Sequence, residues 1–213
     1  MRVHDHIDAL EKAGAKRVYG IPGDTIDTLM ESIRVDDEVE FVVCRHEENA
    51  AFMASGYARI TGNLAVCVAC QGPGANNLLN GLADAASDRI PVLSITGQVP
   101  SDRIGSGMPQ ESSQIKLFDE IAVFNAEART PINLMEMLHI AINAALTHRG
   151  VAHISVPSDV MQQNAVPFPL PHPVTDHDAQ IVPGDSTLDE AAALRGIIGV
   201  EPQIFVLCGL LST

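Results

Sequence analysis

Glu47 is a carboxylate at the junction of two unlike segments. Before it, Phe41-Val42-Val43-Cys44 reads as a buried strand; after it, Asn49 to Ile60 reads as an apolar helix. One strand further on comes a second strand-to-helix junction, the glycine-rich turn Gln71-Gly72-Pro73-Gly74-Ala75-Asn76-Asn77. Glycines let backbone approach a ligand closely, and the helix that follows presents free N–H groups. A carboxylate beside such a turn suits an enzyme that holds a heteroaromatic ring and exchanges a proton with it. A dry, apolar setting suits a carboxyl to that task. The plainer alternative is a helix-N-terminal carboxylate stabilised by the helix dipole. For the glycine turn the rival is a dinucleotide fingerprint, but Asn77 stands where its third glycine belongs and no acidic residue ends the next strand, Pro91 to Thr96. A tight turn with no ligand carries about the weight of that rival.

The elements that must position these residues alternate along the chain. Strands are expected at Arg17–Ile21, Phe41–Cys44, Leu64–Cys70, Pro91–Thr96, Ala122–Asn125 and Val151–Val156. Helices are expected at Val3–Ala13, Thr25–Ile33, Asn49–Ile60, Ala75–Ser87 and Ile132–Thr147, with Thr130-Pro131 opening the last and Asp24 capping the second. Continuous apolar strands are typical of a parallel sheet buried on both sides. The expected fold is α/β, an open parallel six-stranded sheet with helices on both faces. From Val166 prolines alternate with other residues up to Pro173, as in an extended linker. A helical pattern (Leu188 to Ile198) and a strand pattern (Gln203 to Gly209) follow. The expected organisation is a domain over 1–163, a linker over 164–184 and the start of a second α/β domain over 185–213, too small to bury a core of its own.

A chain of 213 residues with 46% hydrophobic residues has ample material for a core, and a formal charge of −14 argues against nucleic acid and anionic lipid as partners. It also offers few cations to a polyphosphate, so a bound diphosphate needs a metal or another domain to neutralise it. Neither a secretory leader nor a membrane-length apolar run is read. Cys44, Cys67, Cys70 and Cys208 fall in strand-like runs. Cys67 and Cys70 have redox-pair spacing, but residues three apart on a strand point to opposite faces. Buried, reduced thiols and a cytoplasmic setting are expected. No metal-ligand cluster is read: His46-Glu47-Glu48 lacks the second histidine of a zinc helix.

The segment Arg45 to Arg59 and the turn at 71–77 together resemble the pyrimidine-binding domain of thiamine-diphosphate enzymes of the pyruvate oxidase and acetolactate synthase type. Gly20-Ile21-Pro22-Gly23-Asp24, Thr147-His148-Arg149-Gly150-Val151 and Val156-Pro157-Ser158-Asp159-Val160 extend the likeness, which runs from about Leu10 to the end of the chain. Ile104-Gly105-Ser106-Gly107-Met108-Pro109-Gln110-Glu111 is most similar to the pyruvate oxidase and pyruvate:quinone dehydrogenase branch, although Pro109 replaces an aromatic residue of that branch. The resemblance implies that Glu47 is catalytic, hydrogen-bonding N1′ of the aminopyrimidine, in an enzyme whose cofactor serves as the electron sink for a 2-keto acid. It implies that Pro22, Gly23, Gly72, Pro73, Gly74 and Asn77 line the cofactor and that Gln110 approaches cofactor and substrate. His46 and Glu48 are read as partners of Glu47 or as structural residues.

The family's Gly-Asp-Gly motif, which holds magnesium and the diphosphate, belongs to a separate domain and does not occur here. FAD, where present, belongs to a middle domain. The implied protein is a homo-oligomer, at least a dimer, acting on pyruvate and open to peripheral membrane association, with the 213-residue chain inactive by itself. Two alternatives stand beside this: a short subunit of a two-chain keto acid decarboxylase, and a non-catalytic assembly domain.

Overall fold

A computed structural model describes residues 4–163, with side chains described from Ile7 onward. The proline-rich segment, the Leu188–Ile198 and Gln203–Gly209 patterns and Cys208 lie outside the described residues.

Six strands form one all-parallel sheet: β1 (Arg17–Gly20), β2 (Glu40–Val43), β3 (Ala65–Ala69), β4 (Val92–Gln98), β5 (Ala122–Glu127) and β6 (Val151–Pro157), in the order β2-β1-β3-β4-β6-β5. The helices are α1 (His4–Lys12), α2 (Asp27–Arg34), α3 (Glu47–Thr61), α4 (Pro73–Ser87), α5 (Gln114–Phe118), α6 (Pro131–Thr147) and α7 (Ser158–Met161). Right-handed crossovers decide their sides. From β1 the chain first moves outward to β2 and then back past β1 to β3, so α2 and α3 fall on opposite faces. α1, α2, α6 and α7 pack one side, around Leu10, Ile26, Leu93, Leu138 and Ile154. α3, α4 and α5 pack the other, around Leu78, Leu82 and Phe118 and a run of alanines. The chain therefore reverses direction between β1 and β3, and ligands of open parallel sheets bind at the carboxyl ends of strands flanking such a reversal.

Every expected strand and helix within the described residues is present, with ends shifted by one or two residues. Three readings need correction. The strand before Glu47 is not buried: β2 is an edge strand, and Val43 is 66% exposed. Asp24 does not cap α2. It opens a separate 3-10 turn (Asp24–Ile26), where its Oδ1 accepts from the N–H of Thr25 at 2.9 Å. Cys44 and Cys70 fall just beyond their strands. Thr130 does cap α6, its side chain accepting from the N–H of Asn133.

Cys44 and Cys67 are buried as expected, whereas Cys70 is only half-buried. Burial pushes Cys67 up to about 12. Cys67 faces the α3–α4 side and Cys70 packs against the other, so the two cannot pair.

His153 is a buried polar group that the sequence reading passed over. It lies on β6 with no exposed surface, stacked on the Phe118 ring at 3.8 Å between centroids. Its Nδ1 lies 2.7 Å from Asn125 Oδ1 and its Nε2 2.8 Å from Thr96 Oγ1. Burial pushes it down to about 3, so the folded chain keeps the ring neutral. The unfolded chain takes up that proton near pH 6.5. This contribution to stability is complete above about pH 6.5 and is lost toward pH 3, at about 1.4 kcal/mol per pH unit. Urea unfolding between about pH 6.5 and pH 5 should show that slope. His153→Gln, which cannot titrate, should reduce it, leaving the share of His139, which burial also pushes down.

Candidate active site

Turns at the carboxyl ends of β1 and β4 meet the turn at the end of β3, and Glu47 touches that same turn. Glycine makes the convergence possible. A Cβ on Gly20 would come within 2.6 Å of the Val68 carbonyl oxygen, and one on Gly23 within 2.2 Å of Cys70 Sγ. The turn after β1 therefore lies directly on the end of β3. Pro22 is exposed beside it.

α3 begins at Glu47, two residues earlier than its apolar pattern suggests. His46 is its N-cap, with Nδ1 accepting from the N–H of Glu48 at 3.2 Å. Glu48 accepts from Asn80 Nδ2. These contacts give His46 and Glu48 structural roles in seating the helix. Glu47 is half-buried and turns toward α4. Its Oε2 accepts from Asn77 Nδ2 at 3.0 Å. Its Oε1 lies 3.4 Å from where a Cβ of Gly74 would stand. The carboxylate thus sits beside the first turns of two helices, which both carry partial positive charge there. One oxygen is held, and the other has no side-chain hydrogen-bond partner among the described residues.

α4 opens on Gly72, which has φ 58° and ψ −110°, with Pro73 at its first position. Proline tolerates that position because its missing N–H would have no partner inside the helix. Across α3 and α4 the contact is between small residues. A Cβ on Gly81 would come within 2.7 Å of both Ala51 Cβ and the Phe52 nitrogen. This close approach brings the start of α3 to the start of α4 and so Glu47 to Asn77.

The loop after β4 supplies the third side. Ser101 ties its start to α7: the N–H donates to Asp159 Oδ1 at 2.8 Å and the hydroxyl to Oδ2 at 2.6 Å. The Glu111 carboxylate accepts from the N–H groups of Gly105, Gly107 and Met108, and these bonds, Gly105 first, hold it below the usual carboxylate range. Gln110, next to it, reaches back to the glycine turn. Its Oε1 accepts from Gln71 Nε2 at 3.1 Å, and Gln71 Oε1 in turn accepts from the Thr25 hydroxyl at 2.6 Å.

Glu47, Gly74 and Asn77 thus form one contact group, and Gly72 with Gln110 a second beside it. Gly23 packs on Cys70. The sequence reading passed over Thr25, Gln71 and Cys70 as site residues. Gln71 carried a signal: a long polar side chain directly after an apolar strand and directly before a glycine.

The N-terminal TPP binding domain of thiamine pyrophosphate enzymes matches residues 2–117. The chain belongs to this family. It is 39% identical over 152 residues to the acetolactate synthase isozyme 1 large subunit of Escherichia coli, covering 71% of this chain and 27% of that one. It is 34% identical over 158 residues to pyruvate oxidase of Lactiplantibacillus plantarum, covering 74% and 26%. An uncharacterized 42.6 kDa protein of the isoamylase 3′ region of Pseudomonas amyloderamosa is 37% identical over 209 residues, 95% of this chain and 50% of its own length. The chain therefore spans a quarter to a half of the length of these relatives.

Thiamine diphosphate is the cofactor of this domain family. The donor set fits its pyrimidine end: a half-buried carboxylate with one oxygen held by Asn77 and the other uncommitted, next to a glycine that leaves room beside it. Among the described residues no group of three His, Cys, Asp or Glu side chains could hold a metal ion. None of the described helices is long and apolar enough to cross a membrane.

Proposed function

We propose that this chain is the pyrimidine-binding part of a thiamine-diphosphate enzyme that decarboxylates a 2-keto acid, with pyruvate as the first substrate to try. The observation that carries this reading is the arrangement at Glu47, with Oε2 on Asn77 and Oε1 free beside Gly74. Thiamine diphosphate supplies the electron sink for decarboxylation when bound. The chain's own residues have simpler tasks. Glu47 exchanges a proton with a ring nitrogen. Asn77 fixes the carboxylate's orientation. Pro22, Gly23, Gly72, Pro73 and Gly74 shape the wall against the ring, and Gln110 meets the substrate side.

The loop Ile104–Glu111 favours an oxidase or quinone-dehydrogenase outcome. The likeness to an acetolactate synthase favours transfer of the two-carbon unit to a second keto acid. Assaying pyruvate consumption with and without a redox acceptor separates these two outcomes. The magnesium and diphosphate contacts, and any FAD, are assigned to other domains, with the complete site built between subunits of a homo-oligomer.

That assignment has a direct test. The diphosphate carries most of the cofactor's charge, and a chain of −14 offers it repulsion rather than an anchor. Isothermal titration of the 213-residue chain with thiamine diphosphate and magnesium should show no micromolar binding. Micromolar affinity would mean that this chain holds a complete site and would overturn the divided-site reading.

A further inference from the structure

We propose that Gln71 is a positioning residue that sets which end of the Gln110 amide faces the site. In this arrangement the loop after β4 offers an N–H donor, the group that takes a carboxylate or carbonyl oxygen of a 2-keto acid. The substrate half of this rests on the function proposed above; the direction of the amide does not.

The direction is set at Thr25. This residue is 7% exposed, and its hydroxyl lies against Gly97, where a Cβ would come within 2.2 Å of Thr25 Oγ1. Among the described residues its hydroxyl has one hydrogen-bond partner, Gln71 Oε1 at 2.6 Å. A hydroxyl has a single proton to give. With the Gln71 amide reversed, its NH2 would face Thr25 and that proton would lose its acceptor in a buried place, which is costly. Gln71 therefore keeps its oxygen toward Thr25 and its NH2 toward Gln110. Gln71 Nε2 donates to Gln110 Oε1 at 3.1 Å, which uses the Gln110 oxygen and leaves its NH2 on the exposed side. The polarity runs through three side chains from a buried hydroxyl to the rim of the site.

A second hold comes from the neighbouring residue. Gly72 meets the Gln110 backbone so closely that a Cβ would lie 2.2 Å from its carbonyl oxygen. Gln110 itself has φ 65°, a conformation that few non-glycine residues adopt. The dipeptide Gln71-Gly72 thus grips Gln110 by side chain and backbone. Its hold on the amide's direction is specific to Gln71, because an acceptor-only side chain there would demand the opposite orientation.

Side-chain amide exchange in the uniformly 15N-labelled 213-residue chain reads this without cofactor or turnover. In the unmodified chain the Gln71 NH2 should be protected at least about tenfold and the Gln110 NH2 should exchange as a free amide. Gln71→Glu presents only acceptors to both neighbours, so the Gln110 NH2 should turn inward and become protected about tenfold or more. Gln71→Leu should leave it free. Protection of the Gln110 NH2 in the unmodified chain overturns the proposal without need of any variant, and so does an unchanged Gln110 amide in Gln71→Glu. In the active enzyme, Gln71→Glu should raise KM for pyruvate about tenfold, as expected for losing one hydrogen bond to a charged group, with thiamine diphosphate affinity unchanged. The expected exchange pattern with an unchanged KM overturns the substrate half alone. Absence of any thiamine-dependent turnover overturns the proposed function instead.

Discussion

Turnover of pyruvate by the active enzyme is expected to fall about 10²–10⁴-fold when Glu47 is replaced by Gln, the usual effect of losing acid–base assistance. The substitution is conservative in every other respect. Gln keeps the side chain's length, and its amide oxygen can still accept from Asn77 Nδ2, which now reaches Glu47 Oε2 at 3.0 Å. α3 still begins after the His46 cap. Removing one negative charge from a half-buried helix start should lower stability by about 0.3–2 kcal/mol. The folded fraction should therefore stay near complete while activity collapses. Near-normal turnover at saturating cofactor would remove Glu47 from the chemistry.

Gly72→Ala should have the largest effect on stability. Its φ of 58° with ψ of −110° is a conformation that alanine adopts only under strain, of order 1–3 kcal/mol. The new methyl would also meet the Gln110 carbonyl oxygen, 2.2 Å from the ideal Cβ position. Such overpacking costs about 1–3 kcal/mol more unless the loop withdraws. Gly74→Ala is the control two residues away. Its Cβ would stand 3.4 Å from both Ala69 Cβ and Glu47 Oε1, an ordinary van der Waals contact without backbone strain. Urea unfolding should rank Gly72→Ala well below Gly74→Ala, while Gly74→Ala should impair cofactor binding because its methyl crowds the free oxygen of Glu47. An equal cost at the two positions would show that the turn is not held by its backbone conformation.

Much of the fold was legible because a parallel sheet buried on both faces writes long apolar runs into its central strands. Leu64 to Ala69 and Val92 to Ile95 show this clearly, and their burial follows. The same signal misled at β2, where Phe41, Val42 and Val43 form an apolar run on an edge strand that is only partly covered. Periodicity cannot distinguish an edge strand from a central one. Asp24 was misread for a related reason: an N-cap residue and the first residue of a 3-10 turn look alike until backbone angles are known.

At the candidate site, Glu47 and the glycines could be found because local sequence announces a strand-to-helix junction. Asn77 was named for its place in the turn, and only the structure shows that its side chain serves Glu47. Thr25, Gln71 and Gln110 lie 46 and 39 residues apart along the chain in successive pairs, and no local pattern announces such a bond. His153 was invisible for the same reason, since its partners Asn125 and Thr96 are 28 and 57 residues away.

The seam between α3 and α4 has a consequence for how steady the site is. Ala51 on one side meets Gly81 on the other, and Ala50, Ala54, Ala58, Ala75 and Ala85 are buried in the same core; none has side-chain rotamers to exchange. At Gly81 the separation of the two helices is set by backbone and a methyl group in contact rather than by long side chains that can repack. Glu47 and Asn77 stand near the amino ends of these two helices and inherit that spacing. Their 3.0 Å hydrogen bond therefore spans a gap set by small residues rather than by long ones.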